Sequence, residues 1–167
     1  MSDAIRSLKN LGQVQYKFQF KAKIPYIPFI GLNTEFEFLV RSTDLPEKIQ
    51  EASEIRNILG QTYTIPNNIK VDHSWNVKIL ITEKDFFLKK LYLWFMLMDT
   101  IDINVLKTTA TVSLLSLNGK NVNIDYVISG IYPTKFPKIE GLDYSGTEEY
   151  IEMDCEFSYD DFIPKVN

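Results

Sequence analysis

The stretch Ile69–Met98, IKVDHSWNVKILITEKDFFLKKLYLWFMLM, changes its hydrophobic period halfway along. Ile69, Val71, His73, Trp75, Val77, Ile79 and Ile81 recur at every second position, the spacing of a strand with one buried face, so His73 falls in register with the core-facing set. Thr82 and Asp85 then form a T-x-x-D capping pattern, and Phe86 to Met98 reads as a helix. Phe87, Leu91, Trp94 and Met98 make one apolar stripe, while Phe86, Leu88, Leu93, Phe95 and Leu97 cover most of the remaining circumference. Only Lys84, Asp85, Lys89 and Lys90 clearly favour water. A helix that is apolar nearly all round is buried on more than one side, and one sheet covers only one. The run falls short of the roughly 20 residues that span a bilayer and is broken by two lysines, so protein must supply the second cover.

Strands flank this unit on both sides. Downstream, TATVSLLSL and VNIDYVISGIY are joined by Asn118-Gly119, a two-residue hairpin signal because both positions tolerate positive φ. A last strand over Tyr150–Tyr159 alternates Ile151, Met153, Cys155, Phe157 and Tyr159 with Glu152, Asp154, Glu156 and Ser158, giving a solvent face of carboxylates. Upstream, VQYKFQFKA places Val14, Tyr16, Phe18 and Phe20 on one face, and TEFEFLV places Phe36, Phe38 and Val40 on another. Paired as a hairpin, these two runs would set Lys17 and Lys21 against Glu35 and Glu37. Between them lies KIPYIPFIGLN, an apolar tip over residues 24–33 whose Pro25 and Pro28 discourage a regular ladder. The polar-rich segment from Asp44 to Asn68 reads as a long connection, its loop at 46–60, with a short strand at Gln61–Ile65. With a short helix at 3–8, the whole chain, 1–167, reads as one mainly β domain: an antiparallel sandwich or barrel with one packed helix.

Composition narrows the functional classes. A chain of 167 residues, 45% apolar and 13% aromatic, buries one good core. A net charge of −4 argues against a partner held by unspecific attraction to phosphate. One cysteine excludes an internal disulfide and the paired-thiolate zinc spacings, and the segment MSDAIRSLKNLG lacks the apolar run of a secretion signal. No cofactor or metal site is expected. The one histidine, His73, and Cys155 both take core-facing phases and read as packing residues rather than a catalytic pair. Glu152 and Glu156 lie four apart on one strand face, roughly 13–14 Å at 3.4 Å per residue, too far for either glycosidase geometry. Glycine-rich phosphate loops are absent. The residues point away from an enzyme.

Read together, FEFLVRSTDLPE, YTIPNNIKVDHSWNVKILITEKDFFLKKLYLWF and VISGIYPTKFPKIEGLDYSGTEEYIEMDCEFSYDDF resemble the T4-like bacteriophage tail tube proteins, relatives of the tube proteins of contractile injection systems. The features carrying the resemblance are the turn at Ser42–Pro46, Trp75 before the helix, Trp94 near its end, the Gly-x-x-Pro at Gly130–Pro133, and the Asp-Tyr-Ser before the last strand. The first hairpin is longer than that family's short turn, and the C-terminal strand ends in Tyr-Asp-Asp-Phe where a tryptophan is more usual.

The resemblance implies a subunit that forms hexameric rings, stacked into a hollow conduit of a virion tail made in a bacterial cytoplasm. Its partners would be copies of itself, together with sheath, baseplate and tape-measure proteins. DNA would pass through without specific binding, and no membrane would be entered. The sheet would line the lumen, the helix would lie between neighbours, and the connection Pro46–Gly60 would reach toward the next ring. On this reading the expected subunit-interface residues are Tyr26, Phe29, Ile30, Phe86, Phe87, Leu91, Trp94 and Met98. The expected lumen carboxylates are Glu35, Glu37, Glu152, Asp154 and Glu156, because an acidic wall lets DNA slide where a basic one would hold it. The alternative is a monomeric β-barrel that binds an apolar small molecule in an aromatic interior.

Overall fold

Trp75 and Trp94 lie on either side of Phe157, with ring centroids 5.4 and 6.2 Å away, and the fold is built around this triplet. The structure, a computed structural model, describes residues 19–82, 84, 86–116, 122–139 and 150–166, apart from the side chain of Phe86. The expected helix at 3–8, the strand residues Val14–Phe18, the Asp85 cap and the Asn118-Gly119 turn lie outside the described residues.

In chain order the strands are β1 (Phe20–Lys23), β2 (Tyr26–Ile27), β3 (Gly31–Leu32), β4 (Val40–Thr43), β5 (Lys48–Arg56), β6 (Thr62–Val71) and β7 (Ser74–Leu80), followed by β8 (Thr108–Leu115), β9 (Val122–Pro133), β10 (Lys138–Ile139), β11 (Glu152–Ser158) and β12 (Asp161–Val166). A helical turn, α1 (Phe36–Leu39), precedes β4. The main helix, α2 (Phe86–Met98), and a short one, α3 (Ile103–Leu106), separate β7 from β8. Helix α2 has the limits that its periodicity predicts, and β7, β8, β9 and β11 lie where alternation placed them.

All strand pairings are antiparallel. The main sheet runs β1-β8-β9-β11-β7-β4, with β12 added beside β9 and β10 beside β11. Strand β9 belongs to both halves. Ile124–Ser129 pair with β12 and Val122–Ile131 with β8, whereas Tyr132 and Pro133 pair with Ser158 and Phe157 of β11. The change of neighbours falls at Gly130, whose φ of +69° is a left-handed value that glycine takes without a Cβ clash. The two halves of the sheet share one core: Ala22, Val112 and Ile128 from one, Trp75, Val77, Ile79 and Cys155 from the other, with Phe87, Leu91 and Trp94 of α2 against them. Both indoles are satisfied, Trp75 Nε1 donating to Thr43 Oγ1 at 2.9 Å and Trp94 Nε1 to the Leu106 carbonyl at 3.1 Å.

Three expectations are corrected. The run TEFEFLV does not continue as a strand at Phe36. In a helical turn residues 36 and 38 point roughly 200° apart, so Phe36 is buried against Phe87 (4.8 Å) and Trp75 while Phe38 is exposed. Strand β1 therefore pairs with β8 rather than with this run, and Glu37 meets Lys23, which is outside the expected lysine set, at 3.1 Å. The expected loop at 46–60 is mostly strand β5, paired with β6 in a separate two-stranded ribbon. Finally, the long strand over residues 69–82 breaks at Asp72–His73. His73 leaves the core-facing set, lies exposed, and its Nδ1–H donates to the Tyr159 carbonyl at 2.8 Å.

Candidate functional site

His73 and Cys155 do not come together as a catalytic pair. His73 is tied to Tyr159, four residues along from Cys155, which at strand rise is roughly 13–14 Å. Burial pushes the Cys155 thiol up to about 12, with the neighbouring Asp154 charge adding to the shift, so the sulfur stays protonated and unreactive. No group of three His, Cys, Asp or Glu that could hold a metal ion occurs among the described residues. The aromatic interior that a small ligand would need is filled by Trp75, Trp94, Phe36 and Phe157.

What the fold offers instead is apolar surface turned outward, in three places. The first is α2. Its inner stripe, Phe87, Leu91 and Trp94, is fully buried within the chain's own core, which corrects the expectation that these three meet a neighbour. Met98 is half-buried against the same core. The side of α2 that remains open is formed by Tyr92, Leu93 and Met96, each about half exposed. Phe136, from the segment after β9, packs edge-on against Tyr92 (5.9 Å) and Phe95 (5.8 Å). Together with Leu88, Lys89 and Leu93, the Tyr92 and Phe136 rings line an open cleft of about 620 Å3. The helix thus lacks a second cover, as its composition implies, but the uncovered residues, Tyr92, Leu93 and Met96, fall between the positions of the stripe that periodicity singled out.

The second place is the hairpin β2–β3. Ile30 N–H donates to the Ile27 carbonyl at 3.1 Å, closing a turn in which Phe29 has a φ of +65°. A non-glycine residue held there costs on the order of 1 kcal/mol, and Phe29 is presented outward with Tyr26 and Leu32. Ile30 is half-buried against the core.

The third place is the β5–β6 ribbon. Its register, Ile49↔Lys70, Ser53↔Ile65 and Ile55↔Tyr63, puts Ile49, Ile55, Tyr63 and Ile65 on one face. All four are exposed, and at the turn Leu59 is 83% and Ile58 fully exposed. The turn itself is well built. Asn57 Oδ1 accepts from Leu59 N and Gln61 N at 3.0 and 2.9 Å, and Gly60 supplies a positive φ. At the other end, Lys48 pairs with Asp161 at 2.8 Å and lies over the Phe162 ring at 4.8 Å. The Lys48 hydrogen bond holds the Asp161 carboxyl below its ordinary range. The sequence reading placed a short strand at Gln61–Ile65, within β6, but missed β5, whose residues are nearly all exposed.

The five expected lumen carboxylates do not form a bare acidic row. Glu35 accepts from Lys90 at 2.9 Å, a contact that holds its carboxyl low, and Glu37 faces Lys23. Both sit around α1, away from β11. On β11, Glu152, Asp154 and Glu156 face Arg41 (3.8 Å), Lys78 (3.7 Å) and Lys135 (2.6 Å). Their face is charge-balanced. It carries a concavity lined by Thr43, Asp44, Lys78, Lys135, Asp154 and Glu156.

No family model matches the chain, and no curated protein does either. Several solved structures do. A chain of the sheath-tube complex of an extracellular contractile injection system, PVC, in the extended state superposes with a TM-score of 0.65 at 14% identity, over 100% of this chain and 99% of that one. A chain of the sheath/tube terminator of the PVC system gives 0.67 at 14% identity, over 93% and 99%. A chain of the anti-feeding prophage cap, described as a tube terminating cap, gives 0.64 at 16% identity, over 93% and 95%. The likeness is one of fold, and it runs through nearly the full length of each partner.

Proposed function

We propose that this chain is a structural subunit of the tube of a contractile, tail-like injection apparatus, forming hexameric rings that stack into a hollow conduit. The observation that carries the reading is the apolar surface of α2 and of the ribbon, left open in a fold that matches such assemblies end to end. A lone soluble domain rarely keeps so much contiguous apolar area exposed, whereas a tiled subunit buries it against its copies. The partners on this reading are further copies, a surrounding sheath, a baseplate that starts assembly and a tape-measure protein that ends it. A phage tail that ejects DNA is the specific form we favour, on the sequence resemblance. The charge-balanced β11 face is our candidate for the channel wall, since it offers no net cation density to retain a polyanion.

Negative-stain electron microscopy of the purified protein, alone and with its baseplate, tests the reading. Annular particles or hollow tubes are expected. Monomers only, over a wide range of concentration and salt and with the baseplate present, would overturn it. The nucleic-acid content of isolated particles then separates a DNA conduit from one that carries other cargo.

A further inference from the structure

The β5–β6 ribbon takes its stance from its root. Among the described residues its two strands pair only with each other, and the chain enters and leaves them through residues 44–47 and 72–73. The turn between β11 and β12 grips that root on both sides. Lys48, the first residue of β5, reaches Asp161. His73, just past β6, exchanges two bonds with Tyr159: its Nδ1–H donates to the Tyr159 carbonyl at 2.8 Å, and the Tyr159 N–H donates to the His73 carbonyl at 3.1 Å. We propose that this turn is a pH-sensitive clasp on the ribbon with His73 as its sensor, tight when the imidazole is charged and slack when it is neutral.

The balance of charge at the root carries the inference. Around His73 stand Glu47 and Lys48 at the start of β5, Asp72 beside it, and Asp160 and Asp161 on the turn, with Lys107 beyond Asp160. Glu47 is tied in by its carbonyl, which accepts from the Asp72 N–H at 3.3 Å. Lys48 offsets Asp161 and Lys107 offsets Asp160, whereas Glu47 and Asp72 are in no ion pair among the described residues. The root therefore holds more carboxylates than cations. Tyr159 feels the same excess, since burial first and the Asp72 charge next keep its hydroxyl above the ordinary range. Histidine is the side chain whose charge changes between about pH 5 and 8, and His73 is the only one in the chain. A neutral ring bonded to a carbonyl through Nδ1 carries its one proton there. The charged ring keeps that bond, makes it roughly twice as strong, and sets a cation among the unmatched carboxylates. The clasp thus favours the protonated ring, so its hold is full on the acid side of the histidine range and is lost as pH rises through it. Asp161 sets the lower limit, and Lys48 keeps that carboxyl ionised below the ordinary aspartate range. The ten residues of β6 extend roughly 33 Å, so a small rotation at the root becomes a large displacement at the tip.

Amide hydrogen exchange of the full chain at pH 5.5 and 8.0, corrected for intrinsic rates and referenced to β7, tests the clasp. Protection of β5 and β6 is expected to be about threefold higher at pH 5.5. His73→Gln keeps an N–H for the Tyr159 carbonyl but cannot take up charge, and should remove the difference. Glu47→Gln combined with Asp72→Asn should shrink it. A nitroxide on the exposed Leu59→Cys, with the native Cys155 buried, should show slower tip motion at pH 5.5 in the parent chain and no change with pH beside His73→Gln. Equal ribbon exchange at both pH values in the parent chain, or the same rise in His73→Gln, overturns the clasp. A rise confined to assembled particles separated by sedimentation also overturns it, because it reports burial between copies. The tube reading stands or falls independently of these results.

Discussion

Gly130 has the least room for a side chain among the described glycines. A Cβ built there would lie 2.0 Å from Asp160 Oδ2, and Asp160 cannot swing away. Lys107 Nζ binds both its carboxylate oxygens, at 2.8 and 3.0 Å, and its own N–H donates to the Ser129 carbonyl. Gly130→Ala adds this overlap to the cost of a positive φ, so a loss of about 2–4 kcal/mol is expected as a lowered urea midpoint. Gly130→Ala with Asp160→Ala should recover part of it. Cys155 gives a pH signature. Its thiol is raised to about 12 by burial, while an unfolded cysteine ionises near 8.5. The folded state holds the proton across that interval, so stability is intact below the unfolded value and falls as pH rises from it toward 12. Cys155→Ala should flatten this alkaline decline, and the native thiol should stay unmodified by Ellman's reagent at pH 8 until denaturant is added.

Legibility differed from element to element, and the cause was whether an apolar face meets the core. Helix α2 and strands β7, β8, β9 and β11 each bury one face, so period alone located them. The α1 turn and the ribbon do not follow that rule. Phe38 points outward although its spacing matches Phe36, and Ile49, Ile55, Tyr63 and Ile65 are exposed in an element that meets the core at its root, through Val71. The candidate surface was legible in the same partial way. Composition says that α2 needs another cover, but only the packing separates inner Leu91 from outer Leu93. Leu91→Ala should therefore cost about 2–5 kcal/mol in unfolding free energy, and Leu93→Ala under about 1 kcal/mol while still weakening assembly. At the ribbon root, Lys48→Met should speed hydrogen exchange in β5 and β6 relative to β7. Because Asp161 is held low by Lys48, the root contact is present above the ordinary aspartate range and weakens as pH falls below it. The variant should lose this acid sensitivity.

At the scale of the whole molecule, the contacts proposed between copies are apolar, whereas the β11 face is stitched by ion pairs within one chain. High salt reduces the screening length to about 3 Å at 1 M and strengthens apolar association. Assembled particles are expected to survive 1 M sodium chloride in sedimentation experiments. Dissociation there would point to contacts made by charge.

Strand β9 also bears on how the protein withstands force. Its twelve residues run through both halves of the sheet, so one covalent backbone bridges the two layers. A pull that would separate the layers must extend that backbone and shear its hydrogen bonds on both flanks together, instead of peeling them one at a time. A subunit stressed while cargo is driven past it would therefore yield as a single brittle unit, and its rupture in a force clamp should occur in one step.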